Sequence, residues 1–112
     1  MENKSVKCGK LNISNSSPFT LIAGPCQLEN EKHALEVANE LKKITEKLSI
    51  GLIYKTSFDK ANRTSLKGKR GAGLDKALPI FDKIRKDVGI PVLTDVHTAE
   101  QCEIVSKHVD VL

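Results

Sequence analysis

Short apolar runs alternate with segments of helical periodicity, and this alternation constrains the fold more than any other feature of the chain. The apolar runs predict buried strands at 19–23, 52–57, 90–94 and, as the start of a fourth, 109–112. Apolar residues recur at helical spacing in the segments 34–48 and 74–88, and a third helix is expected at 99–108. Strands that are apolar throughout and alternate with helices indicate a parallel sheet covered by helices, so we expect an α/β fold.

Local signals refine this outline. Residues 6–13 are predicted to form a short strand or hairpin arm ahead of the first buried strand. Asn30 is a suitable N-cap for the first helix, with Glu31 favourable in its first turn. Pro79 falls within the second helical segment, where we expect the helix to start late or to kink.

Length and composition describe one ordinary globular domain of 112 residues with a formal net charge of +4. No apolar run approaches the ~20 residues of a membrane span, and the N-terminus lacks the apolar core of a signal peptide, so we expect a cytoplasmic protein. The odd set of Cys8, Cys26 and Cys102 argues against a disulfide framework. One Tyr and three Phe without aromatic-basic alternation give little support to nucleic acid as a partner.

The stretch 55–73, KTSFDKANRTSLKGKRGAG, concentrates the positive charge. Asp59 is its one acid, against six cations at Lys55, Lys60, Arg63, Lys67, Lys69 and Arg70. Such a run is usually a solvated loop. Here a buried strand leads directly into Lys55, so the sheet should orient this lysine, and hydroxyl and glycine residues follow it. These features predict a site for phosphate and carboxylate groups.

The other polar candidates, Cys26 and the Asp95–Val96–His97 run, also follow the carboxyl ends of predicted strands. Open α/β sheets and (β/α)8 barrels both place their sites at that edge.

Four motifs resemble 3-deoxy-D-manno-octulosonate 8-phosphate synthase, also called 2-dehydro-3-deoxyphosphooctonate aldolase. They are IAGPCQLE at 22–29, KTSFDKANRTS at 55–65, KGKRGAG at 67–73 and PVLTDVH at 91–97. The resemblance implies a (β/α)8 TIM barrel, a fold of ~250 residues. Residues 1–112 would then be a partial barrel, its N-terminal half, ending near the start of strand four. By itself such a chain is expected to be aggregation-prone and inactive.

The resemblance also implies an activity. Related synthases, which are transferases, condense phosphoenolpyruvate with D-arabinose 5-phosphate and release phosphate, in the Kdo branch of lipopolysaccharide biosynthesis. The enol carbon attacks the sugar aldehyde, water adds at the neighbouring carbon, and the phosphate leaves with cleavage of its C–O bond. The family further implies a homo-oligomer, a tetramer. From the composition and the lack of a long apolar run, we expect no membrane or nucleic-acid partner.

Matched positions carry the family's roles. Lys55 and Lys60 correspond to lysines at the phosphoenolpyruvate subsite, where Ser57 would add a hydrogen bond. At the sugar subsite, Asn62 matches the residue that contacts the sugar hydroxyls, and Asp95 matches an aspartate that helps to organise the subsite. Arg63 and Thr64 match the positions that bind the sugar phosphate across a subunit interface. Lys60, Asn62 and Asp95 are the catalytic candidates. Without the resemblance, loop capping explains Ser57 and Thr64 about as well, and a turn or helix N-terminus explains Asp95.

Cys26 has two interpretations. A lone cysteine after a buried strand is usually a small core residue. In the family, however, cysteine at this position accompanies a divalent metal and asparagine accompanies metal independence. The resemblance therefore implies a thiolate ligand for zinc, iron or manganese, with histidine, glutamate and aspartate ligands beyond Leu112. His97 is an alternative ligand, although the match places it beside the sugar pocket.

Three alternatives stay open. The related 3-deoxy-D-arabino-heptulosonate 7-phosphate synthase uses erythrose 4-phosphate, but it typically has Lys-Pro-Arg-Thr where this chain has the run 60–64, KANRT. An inactive fragment of either enzyme would keep the same motifs. A basic nucleic-acid binder would show salt-sensitive binding to DNA or RNA.

Overall fold

The structure is a computed structural model that describes residues 2–59 and 73–112. It opens with an antiparallel hairpin of β1 (Val6–Cys8) and β2 (Leu11–Ile13), which confirms the predicted hairpin arm. A three-stranded parallel sheet follows, made of β3 (Thr20–Ala23), β4 (Gly51–Lys55) and β5 (Val92–Leu93). The helices are α1 (Glu31–Leu48), α2 (Leu74–Lys83) continued by a π-helical segment (Ile84–Val88), and α3 (Ala99–Val105).

The sheet confirms the α/β prediction. Its order is β3-β4-β5, with Ala23 opposite Tyr54 and Tyr54 opposite Val92. Leu93 forms a further parallel bridge to Val111, where the fourth strand is predicted to begin. The described residues therefore form an open parallel sheet and not a closed barrel.

Burial differs between the central and outer strands. In β4, Leu52, Ile53 and Tyr54 are buried, as predicted. In β3, Ile22 is 54% exposed, and Phe19 just before the strand is 66% exposed. The prediction of a buried strand is wrong for this part of β3, because the described residues place a strand on only one of its sides.

The hydrophobic core lies between the sheet and the helices. Its largest fully buried side chains include Tyr54, Phe58, Phe81 and Ile84. Burial raises the pKa of Tyr54 to about 12, and its hydroxyl has no hydrogen-bond partner among residues 2–59 and 73–112. Within this part of the chain, the core therefore contains a polar atom that makes no hydrogen bond.

Helix α1 follows its sequence signals at the start but not at the end. The Asn30 side chain accepts a hydrogen bond from the His33 amide at 2.8 Å, which confirms the predicted N-cap. Ala34 and Ala38 pack into the core. Ile44 and Leu48, which continue the same apolar pattern, are exposed. The pattern predicted the helix, but not how far the sheet covers it.

Helix α2 begins at Leu74 and includes Pro79, so the prediction of a late start is wrong. Pro79 has no amide hydrogen and therefore leaves one carbonyl of the first turn without its usual donor. The helix continues through the π-helical segment and ends at Gly89, whose φ of 76° is left-handed, as the sequence predicted for its end.

Among the helices of the described residues, none is both long enough and apolar enough to cross a membrane. The longest, α1, has 18 residues and carries charged side chains along its length.

Candidate functional site

Backbone hydrogen bonds join the segments that follow the three parallel strands. Gln27, after β3, bridges Ser57, after β4, and the Leu28 amide donates to the Ser57 carbonyl at 2.8 Å. The Thr56 amide donates to the Leu93 carbonyl at 3.3 Å. The predicted convergence of these segments at the carboxyl edge of the sheet is confirmed.

Strand β4 orients Lys55. Successive side chains of a strand point to opposite faces, and Tyr54 packs into the core on the helix side. Lys55 is therefore directed to the other face, where it is only partly buried. This agrees with the expectation that the sheet orients this lysine.

Gly24 allows β3 and β4 to approach closely at this edge. A Cβ atom on Gly24 would lie 1.8 Å from the carbonyl oxygen of Lys55, far inside van der Waals contact. Any larger residue would displace the backbone that carries Lys55. The glycine of the GPC run at 24–26 is thus required by packing against the neighbouring strand.

Ser57 and Asp95 link the ends of β4 and β5. The Ser57 hydroxyl, 6% exposed as a residue, donates to the Asp95 carboxylate at 2.5 Å. Asp95 does not cap α3, because Thr98 is the N-cap and its hydroxyl accepts from the Gln101 amide. The interpretation of Asp95 as a helix N-terminal residue is therefore wrong, and the carboxylate is held at the strand edge by a side chain 38 positions away.

His97, named from the sequence only as an alternative metal ligand, belongs to the same cluster. Its Nε2 lies 2.6 Å from the carbonyl oxygen of Asp59, so Nε2–H is the donor, and 3.6 Å from the Asp95 carboxylate. The ring also contacts Phe58 edge to face, with 5.9 Å between centroids. The signal available in the sequence was its position two residues after Asp95, beyond the end of a strand.

Cys26 is a free, exposed thiol in the segment after β3. Cys8 and Cys102 are also free, which agrees with the prediction of no disulfide framework. Within residues 2–59 and 73–112, no three His, Cys, Asp or Glu side chains come together in a way that could hold a metal ion. The described residues thus offer one accessible soft donor at this edge, and not a set of ligands.

Lys60, Asn62, Arg63 and Thr64, predicted to bind both substrates, lie outside the described residues. Asp59 immediately precedes them, and Gly73, whose amide donates to the Phe58 carbonyl at 3.4 Å, follows the run. The basic stretch therefore leaves and rejoins the described structure beside the Ser57–Asp95 pair.

Comparison with known proteins identifies relatives of this chain. A family profile described as the DAHP synthetase I family matches residues 2–112. A protein named 2-dehydro-3-deoxyphosphooctonate aldolase from Chelativorans sp. (strain BNC1) is 62% identical over 110 residues. Proteins of the same name from Brucella ovis and Brucella canis are 60% identical over 110 residues.

These alignments cover 98% of this chain but 40% of each relative. The chain therefore spans about two fifths of the length of the curated relatives it matches. Since the family profile covers nearly all of its residues, the chain belongs to the DAHP synthetase I family.

Proposed function

We propose that the protein acts in the synthesis of 3-deoxy-D-manno-octulosonate 8-phosphate from phosphoenolpyruvate and D-arabinose 5-phosphate. The observation that carries this proposal is its 62% identity, over 110 residues, to a protein named 2-dehydro-3-deoxyphosphooctonate aldolase. We further propose that the open parallel sheet is the N-terminal part of a (β/α)8 barrel, which supplies the phosphoenolpyruvate subsite and part of the sugar subsite.

The geometry of the carboxyl edge supports this assignment. Lys55 is directed away from the core, and Ser57 and Asp95 are hydrogen-bonded to each other beside it. Both substrates are anions, and a partly buried ammonium group is suited to neutralise a carboxylate or phosphate. The basic stretch 55–73 starts from this point and supplies further cations.

In the proposed reaction, the enol carbon of phosphoenolpyruvate forms a bond to the aldehyde carbon of the sugar. Water adds to the neighbouring carbon of phosphoenolpyruvate, and phosphate leaves from that carbon by C–O cleavage. Lys55 and Lys60 would hold the phosphoenolpyruvate anion. Asp95, fixed by Ser57, would orient the sugar together with Asn62, while Arg63 and Thr64 would bind the sugar phosphate.

The thiol of Cys26 fits the soft donor that a divalent zinc, iron or manganese ion accepts. We propose that Cys26 is one ligand of such an ion, which would act as a Lewis acid when bound. The exposed position of the thiol at the carboxyl edge supports this role. Metal content measured after EDTA treatment and reconstitution should fall in Cys26→Ser, with Cys102→Ser as the control.

We also propose that the active form is a homotetramer located in the cytoplasm. Its support is the match of Arg63 and Thr64 to positions that act across a subunit interface in the family, together with the phosphorylated nature of both substrates. Sedimentation velocity of the purified protein measures the assembly directly, and a monomer at assay concentrations would contradict it.

The activity is best tested in a chimera in which this chain replaces the 110 matched residues of the Brucella ovis protein. We expect the chimera to release phosphate from phosphoenolpyruvate when arabinose 5-phosphate is present. A second assay uses erythrose 4-phosphate in place of arabinose 5-phosphate and tests the alternative, synthesis of the seven-carbon product. This alternative is supported by the description of the matching family, DAHP synthetase I. Phosphate release only with erythrose 4-phosphate would overturn the proposal.

Lys55→Ala in the same chimera should lower kcat/KM about 10- to 100-fold, since charge-assisted hydrogen bonds contribute about 1.5–3 kcal/mol. Lys47→Ala, at the exposed end of α1, is the matched control and should change nothing. An inactive chimera with a native-like circular dichroism spectrum would favour the interpretation of this chain as an inactive fragment.

A further inference from the structure

A cavity of about 610 Å3 lies at the amino edge of the sheet, away from the candidate site. The hairpin forms one wall through its turn, Gly9 and Lys10, and through Leu11. The C-terminal ends of α1 and of the π-helical segment form the other wall. Small-molecule sites in proteins typically have volumes of about 300–1,000 Å3, so the cavity has the size of a binding site.

Part of the inner surface of the cavity is apolar, and the rest is charged or polar. The hairpin rests on the sheet at two points, where Leu11 meets Gly51 and Gly9 meets Pro91. A Cβ atom on Gly51 would lie 3.1 Å from Leu11, and one on Gly9 would lie 3.2 Å from Pro91. Between these contacts, Leu52 and Ile90 also line the space. An apolar part of a ligand would find matching surface here.

Most charges at this end have structural partners. Lys42 donates to the Val88 carbonyl at 2.7 Å, which caps the C-terminus of the π-helical segment. Arg85 pairs with Asp110, at 3.2 Å between Nε and the carboxylate. These cations also offset the partial negative charge of the two helix ends. They are explained by the fold and need no ligand.

Lys10 and Lys86 differ from these residues. Both line the cavity and are exposed, and neither makes an ion pair or hydrogen bond within the described part of the chain. Of the acids lining the cavity, Glu46 is 4.0 Å from Lys42, while Asp82 and Asp110 are engaged by His108 and Arg85. Two cations without an ion-pair partner among the described residues therefore border a cavity whose lining is apolar in part.

We propose that this cavity binds a small organic anion, a carboxylate or phosphate monoester attached to an apolar group. The ammonium groups of Lys10 and Lys86 pair with the anion, and the surface around Leu52 and Ile90 contacts the apolar group. This site is separate from the carboxyl edge, so the proposal does not depend on the proposed function.

The test is an NMR titration of the ¹⁵N-labelled full chain with phenyl phosphate, a probe with one aromatic ring and one phosphate. We expect saturable shifts at the amides of Gly9, Gly51 and Gly89, which surround the cavity. Inorganic phosphate should bind at least about tenfold more weakly, because it buries no apolar surface.

Charge reversal locates the anion. Lys10→Glu and Lys86→Glu should each weaken phenyl phosphate about tenfold, the size expected for losing one charge-assisted contact. The neutral variants Lys10→Gln and Lys86→Gln should weaken the binding of phenyl phosphate by a similar factor. The amide spectrum of each variant shows whether the variant is folded. Lys47→Glu is the matched control, because Lys47 lies at the same end of α1 but does not line the cavity.

Three results would overturn the proposal. The first is the absence of saturable shifts at the three glycines in the wild-type chain. The second is an equal loss of binding in Lys47→Glu and Lys86→Glu, which would indicate only a general effect of net charge. The third is equal affinity for inorganic phosphate and phenyl phosphate, which would exclude a role for the apolar surface.

Discussion

Two aspartates at opposite edges of the sheet perform different tasks with the same carboxylate. Asp110, at the amino edge, accepts the Val92 amide at 2.9 Å and pairs with Arg85, so both of its oxygens stabilise the fold. Asp95, at the carboxyl edge, accepts from Ser57 and has His97 beside its second oxygen at 3.6 Å. The amino edge ties its aspartate to the backbone, whereas the carboxyl edge ties its aspartate only to side chains.

This difference follows from which backbone groups each edge leaves unpaired. Val92 is fully buried, and its amide at the start of β5 needs an acceptor that the parallel ladder does not provide. At the carboxyl edge, backbone bonds such as Thr56 to Leu93 already satisfy the amides. Side chains there bond mainly to one another, as Ser57 does to Asp95, and are not needed to satisfy those amides.

The largest expected effect comes from Gly24→Ala, which tests whether the carboxyl edge depends on its backbone spacing. The new Cβ would lie 1.8 Å from the Lys55 carbonyl, and we expect about 3 kcal/mol or more of destabilisation in urea unfolding. Gly89→Ala is the control, with no heavy atom within 4 Å of its Cβ, and should cost about 1 kcal/mol for its positive φ. Equal losses would show that spacing at Gly24 is unimportant.

Truncation of each aspartate tests the contrast directly. Asp110→Ala should lower the free energy of unfolding by about 2–3 kcal/mol, because it leaves the buried Val92 amide without an acceptor. Asp95→Ala should cost about 1 kcal/mol or less, since a side-chain hydroxyl, that of Ser57, loses its partner and the contact with His97 is long at 3.6 Å. Urea titrations of both variants measure the two losses, and a larger loss for Asp95→Ala would reverse the comparison.

A pH-dependent prediction concerns the core between the two edges. The pKa of Tyr54 is raised by burial to about 12, above its ordinary value of 10, so the folded state holds this proton more tightly. Its contribution to stability is therefore complete below pH 10 and is lost as the pH rises from 10 to 12, by about 2 kcal/mol.

The measurement is the difference in unfolding free energy between wild type and Tyr54→Phe at pH 8 and pH 11.5. Raising the pH from 8 to 11.5 should lower the unfolding free energy of wild type relative to that of Tyr54→Phe. At pH 8 the variant should be at least as stable as wild type, because the buried hydroxyl it removes has no partner in the described part of the chain. A clear loss of stability at pH 8 would show that the hydroxyl has a partner in solution.

The smallest expected effect sharpens the assignment of Asp95. Ser57→Ala should cost about 1 kcal/mol, and its coupling to Asp95→Ala in a double-mutant cycle should be about 1 kcal/mol. Additive losses would mean that the 2.5 Å bond contributes nothing, and Asp95 would then need another source of orientation.

Local chemistry explains most of what the sequence predicted correctly. Three correctly predicted features each depend on residues within a few positions of one another. They are the helix cap at Asn30, the helix end at Gly89 and the N-terminal hairpin of β1 and β2. The apolar periodicity likewise identified the parallel sheet and its helices. The convergence of Lys55 and Asp95 followed from topology, because parallel strands end at one edge.

What the sequence did not predict depends on distant neighbours. The bond from Ser57 to Asp95 joins residues 38 positions apart, and the contact of His97 with Asp59 spans the same separation. Exposure of Ile22 and Ile44 depends on what covers each face, which periodicity does not encode. Helix α2 tolerated Pro79 because tertiary packing of Phe81 and Ile84 outweighs one missing hydrogen bond.

The backbone bonds that join the segments after the strands have a consequence for evolution. Because Leu28 to Ser57 and Thr56 to Leu93 use only main-chain atoms, replacing a side chain at this edge leaves those bonds in place. Side-chain substitutions there can therefore change the chemistry of this edge without first destabilising the scaffold, while Gly24 stays fixed.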